Sequence, residues 1–247
     1  MSTMPSLLET SIEPFAGCTG KGVRVAVIDS GVNADHPHII RVAGGVSVGT
    51  HDQFNGENYT DHLGHGTAVM AAIQEKAPDA DYIAVKLFDA SLRTRTEHLL
   101  TAIDWAVDQG VQVINLSLGT RRMEFQSAFV AAIERAAAKG TSLIAPCEAN
   151  GVACLPGALP GVISVGLDWN CPRNAYRAEG GFFYASGYPR SLPGRPVERN
   201  LMGISFAVAN MTGFVVRALQ SSRQNLVRTL LDSALMIDQP GQPAVSR

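Results

Sequence analysis

The chain has 247 residues, 46% hydrophobic and 17% charged, with a formal net charge of -2. That composition supplies one large core and no electrostatic footprint for nucleic acid or an anionic lipid surface. No stretch is long and apolar enough to span a bilayer, and the first twenty residues lack the basic-then-apolar pattern of an export signal. The expectation is therefore a cytoplasmic chain with one domain over residues 22–247 after an extension over residues 1–21, and with neither nucleic acid nor membrane as partner.

The first strong element is Val23-Arg24-Val25-Ala26-Val27-Ile28, a β-rich run ending at Asp29-Ser30-Gly31. A central parallel strand delivers a carboxylate to the C-terminal edge of a sheet in this way, although Asp-Ser-Gly also serves as a plain turn. A polar, glycine-containing loop leads to Asp61-His62-Leu63-Gly64-His65-Gly66-Thr67 and the apolar helix that follows. His65, between two glycines at the helix start, can approach another group closely, and that position favours the neutral imidazole a general base needs.

Strands and helices then alternate: Tyr82–Leu87 and Val111–Leu116 read as strands around a helix over Thr96–Asp108. A helix over Phe125–Lys139 precedes strands at Ser142–Ala145 and Gly161–Gly166. Residues 180–199, spaced by Pro189, Pro193 and Pro196, read as surface loop with one or two edge strands. Gly203-Ile204-Ser205 opens an apolar helix, and a closing helix spans about Gln224 to Leu235. The pattern predicts an α/β fold, a doubly wound, mainly parallel sheet flanked by helices. Ser205, at a helix start behind a glycine, is a candidate nucleophile; a helix-capping serine is the plainer alternative.

Cys18, Cys147, Cys154 and Cys171 show no CxxC spacing and no interleaved histidines, so the sequence offers no metal site and no other cofactor. Cys147 and Cys154 lie close enough in sequence to bridge across a loop, but an unexported chain keeps them reduced. Nothing in the sequence fixes the oligomeric state.

The order Asp29, His65, Ser205 is one of the orders found in serine hydrolase triads. With Val25-Ala26-Val27-Ile28-Asp29-Ser30-Gly31-Val32, Gly64-His65-Gly66-Thr67 and Gly203-Ile204-Ser205-Phe206-Ala207, the chain resembles the subtilisin-like serine proteases from about Gly22 to Leu219. The resemblance implies peptide-bond hydrolysis through a triad of Asp29, His65 and Ser205. It also implies that Ser117, Leu118 and Gly119 hold the substrate backbone, with the opposite cleft wall near Leu92-Arg93-Thr94-Arg95. There Arg93 or Arg95 would favour acidic residues upstream of the cleaved bond.

The family's oxyanion asparagine has Asn150 as its counterpart if the loop shifts by one residue. Gapless alignment instead puts Ala149 there, which removes the side-chain donor. Ile204, Ala68 and Ala209 stand where the family usually has threonine, histidine and proline. The turn after the histidine helix is short, so the calcium loop of many secreted members is expected to be absent.

Cys154-Leu155-Pro156-Gly157-Ala158-Leu159-Pro160-Gly161-Val162-Ile163 is similar to a segment of subtilases that process ribosomally made peptide natural products. The ordinary interval from Gly31 to Asp61 implies cleavage of a precursor or leader peptide rather than ring closure. From another class, the alternative is a catalytically silent subtilase-fold module that binds a peptide or protein in the same cleft.

Overall fold

The computed structural model describes residues 13–49, 53–56, 58–196 and 199–235. Most of the extension assigned to residues 1–21 lies outside these. Its last residues are fastened to the body, because Gln220 Oε1 accepts the backbone N–H groups of Thr19, Gly20 and Lys21 at 2.7, 2.6 and 3.2 Å.

The centre is a nine-stranded sheet. In chain order its strands are β1 (Arg24–Asp29), β2 (Gly44–Val48), β3 (Phe54–Asn55), β4 (Asp81–Lys86), β5 (Val113–Leu116) and β6 (Ser142–Pro146), with β9 (Ile163–Leu167), β10 (Tyr176–Glu179) and β11 (Phe182–Ala185). The spatial order is β10-β11-β9-β6-β5-β1-β4-β2-β3. All neighbours are parallel except the two outermost pairs, β10 with β11 and β2 with β3. The two remaining strands, β7 (Glu148–Ala149) and β8 (Val152–Ala153), form a separate hairpin.

The period of two along β1 divides the core. Val25 and Val27 face the layer of α1 (His65–Lys76) and α4 (Ile204–Ser221). Ala26 and Ile28 face α2 (Thr96–Asp108) and α3 (Gln126–Ala138). Both faces of β1 are thus covered, which is why it reads as a continuous apolar run. A short α5 (Leu226–Asp232) packs on α4.

Helices α1 and α4 come close enough that a Cβ on Gly213 would stand 2.7 Å from the Lys76 side chain. His65 and Ser205 stand in the first turns of these two helices.

The helix over Thr96–Asp108 has the expected bounds, and the α3 helix is preceded by a single 3-10 turn at Met123–Phe125. Six strands depart from the sequence reading: β2, β3, β7, β8 and β10 are not read there as strands, and β11 takes a different place. β2 carries Gly44 and Gly45, which mask its strand character; Gly45 is needed because a Cβ there would meet the Tyr59 ring at 2.5 Å and the Ala84 carbonyl at 2.6 Å. β10 was missed because two of its four residues, Arg177 and Glu179, are charged. β11, expected at the edge, lies one strand inside, parallel to β9 and covered by β10.

Candidate active site

Three elements carry the candidate residues to one place. Asp29 is the last residue of β1, His65 the first of α1 and Ser205 the second of α4. Gly64, with φ 77°, makes the turn that starts α1, and Gly203, with φ 139°, makes the one that starts α4. Gly66 matters for a different reason: a Cβ there would lie 2.3 Å from the Gly31 carbonyl oxygen, so only glycine lets α1 start this close to β1.

His65 Nδ1 and Asp29 Oδ1 are 2.7 Å apart. With the proton on Nδ1 donated to the carboxylate, Nε2 is left as an acceptor. The Ser30 N–H donates to the same carboxylate oxygen at 2.7 Å, while Oδ2 is buried without a partner among the described residues. The ring of Phe206, next to Ser205, lies 5.8 Å from the His65 ring.

Burial pushes the His65 pKa down, but the Asp29 hydrogen bond and the charges of Asp29 and Asp61 outweigh it and hold the imidazole above its ordinary value. The sequence reading expected the helix start to favour the neutral ring; the carboxylates of Asp29 and Asp61 act in the opposite direction.

Ser205 is tied to the end of β5. Its Oγ donates to the Ser117 carbonyl at 3.1 Å, and Ser117 Oγ donates to the Ser205 carbonyl at the same distance. Behind them, Ser117 Oγ also reaches Asn115 Oδ1 at 3.1 Å, and Asn115 Nδ2 donates to Thr212 Oγ1 at 2.9 Å. This buried ladder fixes the first turns of α4 against the sheet. The Ser205 N–H lies in the first turn, where no intrahelical acceptor exists.

Leu118 and Gly119 line a cavity of about 360 Å³ together with Leu92, Arg93 and Arg122. The far edge of this segment is already paired, through Thr120 N to Leu155 O at 2.9 Å and Leu155 N to Thr120 O at 2.8 Å. Gly119 is packed against Cys154, since a Cβ would come within 2.6 Å of its Sγ. Arg95 lies 3.7 Å from Glu97, whereas Arg93 is exposed and forms no ion pair among the described residues.

Asn150 does not join the other candidates in any contact among the described residues. It is exposed at the tip of the β7–β8 hairpin with φ 55°, followed by Gly151 with φ 73°. Asn-Gly is the preferred pair for a two-residue hairpin turn, and that accounts for Asn150 here. Cys147 and Cys154 flank the hairpin as free thiols, with the Cys154 N–H donating to the Cys147 carbonyl at 3.2 Å. Among the described residues no group of three or more His, Cys, Asp or Glu side chains is placed to hold a metal, and no helix is long and apolar enough to cross a membrane.

One residue escaped the sequence reading. Asp61 is buried and accepts five hydrogen bonds: Oδ1 from Ser30 Oγ and the N–H groups of Leu63 and Gly64, each at 2.9 Å, and Oδ2 from the Thr67 N–H at 2.9 Å and its hydroxyl at 2.6 Å. Burial pushes its carboxyl up, but the bonds from Thr67, Leu63 and Ser30 prevail and hold its pKa below the usual carboxylate range. The signal was its position four residues ahead of a histidine with Thr67 beyond, a loop that needs an internal acceptor.

The sequence profile of the subtilase family matches residues 20–175. The chain belongs to the subtilase family. This subtilase is 31% identical over 238 residues to the thermostable alkaline protease of Halalkalibacterium halodurans, covering 88% of the chain and 62% of that protein. It is 34% identical over 110 residues to the intracellular serine protease of Paenibacillus polymyxa, covering 40% of the chain and 34% of that protein. The chain thus spans less than two thirds of these curated relatives. Among solved structures, the subtilase shares its fold with a lanthipeptide protease, with a TM-score of 0.69, 22% identity and coverage of 89% and 82% of the two chains. It also shares it with the nisin leader peptidase NisP of Lactococcus lactis, with a TM-score of 0.68, 19% identity and coverage of 88% and 84%.

Proposed function

We propose that this subtilase is a serine endopeptidase with Asp29, His65 and Ser205 as its triad. The observation that carries the reading is the 2.7 Å His65–Asp29 contact, with the His65 ring 5.8 Å from that of Phe206, the residue after Ser205. Ser205 Oγ turns from the Ser117 carbonyl to His65 Nε2, attacks the substrate carbonyl carbon and passes its proton to the imidazole. His65, its cationic form stabilised by Asp29, returns that proton to the departing amine. Water then cleaves the acyl ester by the same route and regenerates the hydroxyl.

Leu118 and Gly119 present the free backbone edge to residues upstream of the cleaved bond, as an added strand. Arg93, on the rim of that cavity, favours acidic residues there. The oxyanion is met by the Ser205 N–H. The position of Asn150 at a hairpin tip supports a site without its side-chain donor, which costs about 10²–10³-fold in turnover.

The substrate is a precursor or leader peptide. This part of the proposal is supported by the two peptide-processing structural neighbours and by the 154–163 segment. Four free thiols fit a reducing, cytoplasmic compartment. A silent peptide-binding module is the second reading, favoured by the Ser205 hydroxyl being engaged with Ser117.

Labelling with a serine-directed fluorophosphonate, read by intact mass, separates the two. The endopeptidase reading expects one adduct on the wild type and none on Ser205→Ala. A folded wild type that takes no label establishes the silent module instead.

A further inference from the structure

A second cavity, of about 330 Å³, shares no lining residue with the one that Arg93 borders. Its walls are the loop after β1, the loop that delivers His65, the first turns of α1 and the segment that leads into α4. Residues within five positions ahead of two of the candidate catalytic side chains line it: His62 and Gly64 before His65, Asn200 and Leu201 before Ser205. Ala68, where the family usually has histidine, contributes only a methyl group, and Ala71 continues the small surface.

Two guanidinium groups, Arg190 and Arg195, and the imidazoles of His36, His38 and His62 surround the space, against the single carboxylate of Asp61. Burial and the Arg190 charge hold the His38 pKa below its ordinary value, so its ring enters as a neutral group. That carboxylate has no capacity left, since both its oxygens are spent on the five bonds within its own loop. Arg190 is held in place, with Nη1 donating to the His38 carbonyl at 3.2 Å and its own carbonyl accepting from Asn200 Nδ2 at 3.3 Å. His36 Nδ1 accepts the His38 N–H at 3.2 Å, which leaves Nε2 as its donor. Arg195 is exposed and has no ion-pair partner among the described residues. A concave space with fixed donors, two guanidinium groups and no free acceptor charge is built for an anion.

We propose that this cavity is the subsite for an aspartate or glutamate of the substrate on the C-terminal side of the cleaved bond. The proposal rests on the endopeptidase reading, because the Ser117–Gly119 edge takes the upstream half of the peptide and leaves this cavity to the downstream half. The volume, at the low end of ligand pockets of about 300–1,000 Å³, suits one or two side chains rather than a folded partner.

Two measurements test it. Cleavage of a mixed-sequence peptide library should enrich Asp and Glu downstream of the cut by about tenfold, the worth of one charge-assisted hydrogen bond. Arg190→Gln with Arg195→Gln should abolish that enrichment and leave the upstream profile unchanged, and Arg195→Gln alone, at an exposed position, should reduce it. Separately, in Ser205→Ala, tri-glutamate should move the proton resonances of the His36, His38 and His62 rings, and tri-glutamine should not.

Cleavage without downstream acid enrichment overturns the subsite, as does tri-glutamate that leaves those resonances in place. Absent cleavage with moving resonances overturns the endopeptidase reading and upholds the acid-binding cavity.

Discussion

Asp61→Asn is the sharpest perturbation of this fold, because it keeps the size of the side chain and removes one acceptor. The wild-type carboxylate takes three donors on Oδ1 and two on Oδ2. An amide has a single oxygen. With that oxygen toward Ser30, Leu63 and Gly64, its NH₂ faces the Thr67 N–H and hydroxyl; the hydroxyl can rotate away, but the backbone N–H cannot. Flipped, it sets NH₂ against the Leu63 and Gly64 N–H groups instead. One or two buried donors are orphaned at about 1–3 kcal/mol each, and the surviving bonds lose their charge assistance, so the cost is about 2–5 kcal/mol. Against a total of about 5–15 kcal/mol this is large.

Urea melts at neutral pH measure it, with an unchanged slope and a lower midpoint. The sign with pH is also fixed. The folded pKa of Asp61 is depressed, so its contribution is complete above the ordinary aspartate range and is lost as pH falls through the folded value. The gap between wild type and variant therefore closes in acid. A neutral-pH difference below about 0.5 kcal/mol, the size of an ordinary surface substitution, would refute the account, as would a gap that does not narrow in acid.

Other outcomes follow from the same geometry. Fluorophosphonate labelling should rise with pH through a midpoint above that of an ordinary histidine, because Asp29 and Asp61 keep His65 protonated longer, and Asp29→Asn should move that midpoint down. Asn150→Ala should reduce turnover by less than about tenfold, while Ala149→Asn raises it; a loss of about 10²–10³ in Asn150→Ala would put the hairpin in the oxyanion site. Gly66→Ala should prevent labelling even in folded protein, since its Cβ must push α1 away from the Gly31 carbonyl and with it His65 from Asp29; labelling at the wild-type rate would count against that. Burial lowers the Lys76 pKa to about 7, so the unfolded chain binds the extra proton between about pH 7 and the ordinary lysine range, and stability should climb with pH across that window. In Lys76→Met, urea midpoints at the two ends of the window should lose that rise.

The sequence revealed the elements whose burial is uniform. β1, β5 and α2 declare themselves because both faces of a strand, or one stripe of a helix, are apolar. β2 and β10 stayed hidden for different reasons, one weakened by glycines kept for packing and the other half charged, at Arg177 and Glu179. The candidates Asp29, His65 and Ser205 stand out in sequence because each lies at an end of a strong element, within two residues of a glycine. Asp61 does not, since a loop aspartate that satisfies five donors looks the same in sequence as one in water. Asn150 is ambiguous in sequence because asparagine serves equally well as a donor and as a turn former, and in the structure it forms a hairpin turn with Gly151. The cavity of Arg190 and Arg195 is assembled from residues 36–38, 62 and 190–195, which only the tertiary fold brings together.

The clasp of Gln220 on residues 19–21 joins positions about 200 residues apart, and α4, which carries Ser205, is among the last elements made. On the proposed triad, a chain still lacking α4 during synthesis holds Asp29 and His65 but not its nucleophile. Such a nascent chain would be inert toward itself and its neighbours, and the proposed ability to cut would arrive only with the docking of α4.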